Sequence, residues 1–132
     1  MIAVCLAVHR PDPARLARQL ASLDEQEAAA WTLVREDDEQ GSGAWSAFER
    51  CYARVGREAE LVAPCDQDDV WHPSKLATLD AALGAGATLA FSDLRIVDGA
   101  GGVLSPTYWT DRVVTWDDLG AELQTNVVTG AA

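Results

Sequence analysis

Ala63-Pro64-Cys65-Asp66-Gln67-Asp68-Asp69-Val70-Trp71-His72-Pro73-Ser74-Lys75-Leu76 is the stretch that decides how this 132-residue chain is read. Three carboxylates, Asp66, Asp68 and Asp69, follow the apolar run Leu61, Val62, Ala63 and precede a proline able to open a helix. An apolar run that empties into acids and then into a helix start describes the C-terminal end of a buried strand. Side chains alternate in extended backbone, so Asp66 and Asp68 point the same way and can address one ion or one nucleotide together. Asp69 then points elsewhere, as a helix cap or a partner for local backbone. Carboxylates this close repel one another, and a hard divalent cation, Mg2+ or Mn2+, relieves that repulsion through oxygen ligands.

Working outward, the same strand-to-helix grammar repeats. Ile2 to Val8 is wholly apolar, as a parallel strand covered on both faces should be. Asp12-Pro13 is an N-cap with proline at the first helical position, and the helix from Pro13 to about Glu27 carries Leu16, Leu20 and Leu23 on one face. Trp31 to Arg35 predicts a second strand that ends in Glu36, Asp37, Asp38 and a Gly41-Ser42-Gly43 turn. A helix from Ala44 to about Arg57 follows, with Trp45 and Phe48 expected in the core. Leu61 to Ala63 is the third strand, and Pro73 to about Leu83 the helix after it, with Leu76, Leu79 and Leu83 turned inward. Lys75 is either in reach of a phosphate or solvated on the surface. Thr88 to Ser92 predicts a fourth strand, Arg95 to Val97 with Val103 to Ser105 a hairpin, and Asp117 to Leu123 a last short helix. The fold class is α/β: a mostly parallel sheet with helices on both faces, in one domain.

Several motifs together resemble family 2 glycosyltransferases, the inverting enzymes of the GT-A fold, and in particular their rhamnosyltransferase-like branch. The resemblance rests on Cys65-Asp66-Gln67-Asp68-Asp69-Val70-Trp71, on Pro73, Lys75 and Leu76, on Ser92 to Asp98, on Tyr108-Trp109, and on the acid pair with Gly-Ser at Asp37 to Ser42. It implies Asp68 as metal ligand, Asp66 on ribose or metal, and Asp37 facing the nucleotide base. It also places Val8, His9, Arg10 and Gln67 in the donor site. Val8-His9-Arg10 stands where the family commonly has Thr-Tyr-Asn, and Glu39-Gln40 interrupts the acid pair and Gly-Ser. The implied partners are a UDP- or dTDP-sugar donor and a glycan or lipid-linked acceptor, in polysaccharide biosynthesis. The family's general base lies downstream of the segment Asn126-x-Val128-Thr129-Gly130-Ala131, so it is expected beyond Ala132 and the chain reads as the donor-binding half.

Composition bounds these readings. The net charge of −11, from 21 acidic and 10 basic residues, argues against nucleic acid as the main partner. No apolar run approaches the roughly 20 residues of a membrane span. Cys5, Cys51 and Cys65 are odd in number and widely spaced, as reduced core residues are. The Met-Ile-Ala-Val start lacks a charged leader region, and the expected location is cytoplasmic or peripheral at the inner membrane face. Three other readings compete: a non-catalytic nucleotide-binding or regulatory module, a receiver-like domain, and a structural α/β domain with acidic turns. The receiver reading lacks the lysine it needs near Val113 to Trp116. The purely structural one leaves two acidic clusters at one sheet edge unexplained.

Overall fold

The structure is a computed structural model that describes residues 1–27, 30–84 and 86–109. Three parallel strands, β1 (Ile2–Val8), β2 (Trp31–Asp37) and β3 (Leu61–Cys65), form a sheet in the order β2-β1-β3. β1 is central and almost wholly buried, which is why its sequence is apolar at every position and not at alternate ones.

Register assigns the two faces. Ile2, Val4 and Leu6 of β1 stand level with Leu61, Ala63 and Cys65 of β3, and all six join a core that Leu23, Trp71 and Leu76 complete. This face is covered by α1 (Pro13–Asp24), whose Leu16 and Leu20 pack on the same core, and by α3 (Lys75–Leu83) through Leu76. Fully burying a leucine such as Leu23 contributes roughly 1.5–3 kcal/mol, so a few such contacts dock a helix of this length. The opposite face of β1, Ala3 and Cys5, is covered by α2 (Ala44–Ala53) through Ala47 and Cys51, all four buried. The thiol of Cys51 donates to the carbonyls of Leu6 and Val34, which ties α2 to two strands.

Helix starts follow from local chemistry. The Asp12 carboxylate accepts from the N–H groups of Ala14 and Arg15 at 2.8 and 3.1 Å, with Pro13 at the first helical position. α1 stops at Asp24, three residues short of the predicted end, because Gln26 leaves the helix to bond the Ser22 and His72 carbonyls. α2 stops at Ala53 and not Arg57: the N–H groups of Arg54 and Val55 reach back only three residues, to Cys51 and Tyr52, and tighten the last turn. α3 begins at Lys75 and not Pro73, with Ser74 held off the helix by His72 Nδ1.

Two expectations are corrected. Residues 88–92 form no strand: Leu89 is 63% exposed, and the neighbouring Asp93 carboxylate engages Leu94 N–H, Tyr108 N–H and the Thr107 hydroxyl, local bonds that compete with a ladder. Trp45 is 79% exposed and not core, because the face of α2 that meets the sheet is set by Ala47 and Cys51 and Trp45 lies off it. The hairpin forms as expected, from β4 (Ile96–Val97) and β5 (Val103–Ser105), antiparallel around a turn that Asp98 closes by accepting from Ala100 and Gly102 N–H. The helix read at Asp117 to Leu123 lies outside the described residues.

Candidate functional site

Parallel strands deliver all their C-terminal ends to one edge, and ligands bind where the connections leave in opposite directions. Here that place is β1: the chain passes from it to β2 on one side and returns to β3 on the other. A cavity of about 420 Å3 opens there. Ala7, Val8 and His9 come from β1 and its loop, Asp38 and Gly41 from the loop after β2, and Asp66, Gln67 and Asp68 from the loop after β3. The first turns of α2 close it with Gly43, Ala44, Ala47 and Phe48. The volume falls in the range of small-ligand sites.

Side chains lock these loops to one another. Gln67 Oε1 accepts from His9 N–H at 2.7 Å and Gln67 Nε2 donates to the His9 carbonyl at 3.0 Å. His9 Nδ1 meets the Asp38 carbonyl at 2.7 Å. His9 therefore joins all three strand ends. The Asp38 carboxylate is 3% exposed and faces inward: Oδ1 accepts from the Ser42 hydroxyl at 2.8 Å and Arg50 Nη2 at 3.0 Å, and Oδ2 accepts from Gly43 N–H at 3.1 Å. Burial pushes this carboxyl up, but Ser42, Gly43 and Arg50 outweigh burial and bring it down to about 2. Arg50 Nε also pairs with Glu36 at 2.6 Å, and Arg54 with Glu36 at 2.9 Å, so the end of β2 and the body of α2 are one ionic unit.

The acidic loop is held from below by a buried polar stripe on α1. Gln19 donates to Cys65 Sγ, and Ser22 Oγ accepts from Trp71 N–H at 3.0 Å. Gln26 accepts from Leu76 N–H at 3.1 Å and donates to the His72 carbonyl at 2.8 Å. Gln19 and Ser22 lie three apart on one face of α1 and Gln26 just past its end, and together they fix the backbone on both sides of the aspartates. Asp66 and Asp68 both line the cavity as expected, but a turn at Gln67-Asp68 past the end of β3 brings them there and not strand alternation. Burial first, then Asp68, raises the Asp66 carboxyl. Asp69 turns away, yet it neither caps α3 nor bonds local backbone through Oδ2, which is buried and has no hydrogen-bond partner among the described residues. Burial, then Asp66 and Asp68, raise it too. Lys75 is not a solvated lysine: it is half-buried, its ammonium lies 5.0 Å from the Trp71 ring centroid, and it donates to Ser92 Oγ at 3.5 Å.

Of the residues singled out from sequence, the structure brings Val8, His9, Asp66, Gln67 and Asp68 to one cavity. It does not bring Asp37 or Arg10 there. Asp37 lies on the opposite face of β2 from Glu36, paired with Arg35 at 2.6 Å, and its neighbour Asp38 is the acid that enters. Arg10 is exposed at the loop apex with φ 41, a left-handed conformation uncommon for its type. Sequence reading passed over Asp38, Gln19, Ser22 and Gln26. Strand parity carried forward from Trp31 would have separated Asp38 from Asp37, whereas polar residues on the inner face of a helix leave no signal until their partners are known.

The acidic pair fits a hard cation in one respect. Mg2+ is usually held by one or two carboxylates, with waters and substrate phosphates filling the other positions, and Asp66 and Asp68 offer two on one wall. Their mutual repulsion is partly met by Arg15, 3.8 Å from Asp68 in an exposed ion pair. Among the described residues, no group of three or more His, Cys, Asp or Glu is arranged to hold a metal. No helix of the described residues is long and apolar enough to cross a membrane. Comparison of the chain with protein-family models, curated proteins and solved structures returned no match.

Proposed function

We propose that the chain is the donor-binding part of a family 2 glycosyltransferase of GT-A fold, which takes a UDP- or dTDP-sugar and serves a glycan or lipid-linked acceptor on the cytoplasmic side. The observation that carries this reading is the convergence of three strand ends on one cavity with a carboxylate pair on its wall. The sequence resemblance supplies the chemistry. A nucleoside seats between the β1 loop and the first turns of α2, where Phe48 is half-buried and open to the cavity. Its diphosphate then lies toward Asp66 and Asp68. An acidic chain needs a counter-charge to hold a diphosphate, and Asp68 with Asp66 would hold Mg2+ or Mn2+ there. Such an ion, when bound, stabilises the charge that develops on the departing diphosphate. Gln67 and His9 keep the two loops at fixed separation, and the Gln19, Ser22 and Gln26 stripe keeps the aspartates aimed at the cavity.

One observation favours a second reading, a nucleotide-binding module without turnover. Asp38 accepts from Ser42, Gly43 and Arg50, and the other two carboxylates on the cavity wall, Asp66 and Asp68, are the ones the first reading gives to the metal. With those two on a metal, no further carboxylate of the cavity lining stands open to take a proton from an acceptor hydroxyl. Hydrolysis or transfer of sugar from an NDP-sugar separates the two readings.

The test is thermal unfolding with UDP, dTDP and GDP, each with and without Mn2+. A ligand at 100 times its dissociation constant adds about 2.7 kcal/mol. A shift that requires nucleotide and metal together, and disappears in Asp68→Ala, is the expected result. No shift with any pair, or an equal shift in Asp68→Ala, defeats it.

A further inference from the structure

We propose that Arg15 is a built-in counter-ion of Asp68 that competes with the divalent ion, so that the cavity takes metal readily only when a diphosphate arrives with it. The inference rests on the donor-site reading above and adds to it a means of coupling the two ligands.

Two independent observations single out Arg15. The first is its place on α1. Asp12 caps that helix and Pro13 opens it, so Arg15 is its third residue. There the unpaired N–H groups and the helix dipole favour an acid, and a capping box holds Glu or Gln at this position. A cation here works against the helix, and nothing within the helix accounts for it.

The second is direction. Arg15, Gln19 and Ser22, spaced by four and three, share one face of α1. Gln19 reaches Cys65 at the end of β3, and Ser22 reaches Trp71 beyond the acids. Arg15 is the next contact outward on the same face, with Nη1 3.8 Å from Asp68 Oδ2. Two buried hydrogen bonds thus fix α1 against the acidic loop and aim the guanidinium at the carboxylate.

The consequence is a competition between like charges. Asp66, Asp68 and Asp69 gather three carboxylates within four residues, and Arg15 offsets part of their repulsion. A divalent ion on Asp68 meets that guanidinium as a like charge. Both side chains are half-exposed, so the effect is moderate and screened by salt. A diphosphate reverses the balance, because its oxygens accept from a guanidinium and fill metal positions at the same time. Arg15 then has a phosphate partner in place of Asp68, and metal and nucleotide bind as a pair.

Titration of Mn2+ followed by its electron paramagnetic resonance signal reads this without turnover. At about 20 mM salt and without nucleotide, Arg15→Gln should bind Mn2+ about two- to fivefold more tightly than wild type. The gain should shrink at about 0.5 M salt, where screening shortens to a few Å. UDP should raise Mn2+ affinity by a larger factor in wild type than in Arg15→Gln. The control is Arg18→Gln, which removes an exposed charge one turn further along α1 and should fall well short of the Arg15→Gln gain. Mn2+ affinity unchanged or lowered in Arg15→Gln, an equal gain in Arg18→Gln, or the same UDP effect with and without Arg15, overturns the inference. In that event, Mn2+ uptake by wild type with UDP that is lost in Asp68→Ala leaves the donor-site reading standing. No uptake by any form, with or without UDP, overturns both.

Discussion

Gln67 and His9 hydrogen-bond each other twice across the mouth of the sheet, at 2.7 and 3.0 Å, with the side chain of one gripping the backbone of the other. The two residues are 58 positions apart, so the pair closes a long loop and holds β1 and β3 ends at one spacing. Gln67→Ala removes both bonds, and each is worth roughly 0.5–1.5 kcal/mol net. We expect a loss of about 1–2 kcal/mol in urea unfolding and a larger fall in nucleotide affinity than in stability. Gln67→Ala with wild-type affinity would show that the clasp does not shape the cavity.

Gly41 meets the same histidine from the other side. Its φ of +68 costs any non-glycine residue about 1–2 kcal/mol, and a Cβ would press on the His9 ring at 3.2 Å. Gly41→Ala should therefore lower both stability and nucleotide affinity. Gly101→Ala is the control: φ is +88, yet nothing lies within 4 Å of a Cβ there. It should cost comparable stability by calorimetry and leave binding unchanged. Equal binding losses in the two variants would deny the ring contact a role.

The polar stripe on α1 predicts unusually costly conservative changes. Ser22→Ala strands the buried Trp71 N–H, and Gln26→Leu strands Leu76 N–H together with its bond to the His72 carbonyl. Leaving a buried donor unpaired costs about 1–3 kcal/mol. Each variant should lower the unfolding free energy in urea by that much, through a lower midpoint at unchanged slope. Changes within the ±0.5 kcal/mol typical of surface sites would mean that the stripe is solvated.

How far these features could be read from sequence follows from the kind of signal each leaves. The three parallel strands and their helices were legible because β1 is apolar throughout and because Asp12-Pro13 and the glycines mark the breaks. The shared side of Asp66 and Asp68 was expected from alternation, yet the chain turns at Gln67-Asp68 beyond β3, so the expectation reached the right wall by the wrong backbone. Trp45 was not, since helical spacing says which residues share a face and not which face meets the sheet; Ala47 and Cys51 decide that. Thr88 to Ser92 carried strand composition without a partner edge, and Asp93 drew its surroundings into local bonds. The choice between Asp37 and Asp38 turned on a single step of parity, and Gln19 looks like any surface glutamine until Cys65 is beside it.

The cysteines offer a test of packing that is independent of the site. All three are buried. Burial pushes the Cys5 thiol up to about 11 and Cys65 to about 12, and raises Cys51 as well. The thiolate is the reactive species, so at pH 8 native protein should resist an aromatic disulfide reagent and release three equivalents in guanidinium. A thiol that reacts at the unfolded rate would place its helix or strand outside the core.

The Asp38 carboxyl gives the fold an acid limit whose direction can be worked out. Its pKa in the folded chain is lowered from the ordinary 3.8 to about 2 by Ser42, Gly43 and Arg50, against burial. A depressed folded value means that the unfolded chain takes up the proton first. The stabilisation is thus fully present above about pH 4 and is lost as pH falls through the folded value near 2. Twenty other acidic residues also titrate there, 21 less Asp38, so the measurement must be a difference. Urea midpoints of wild type and Asp38→Asn from pH 7 to pH 2 should stand furthest apart at neutrality and converge below pH 4, because the amide keeps its shape at every pH while the acid loses its charge. Parallel curves would mean that Asp38 holds the turn by geometry alone, and that Arg50 contributes its charge to Glu36 instead.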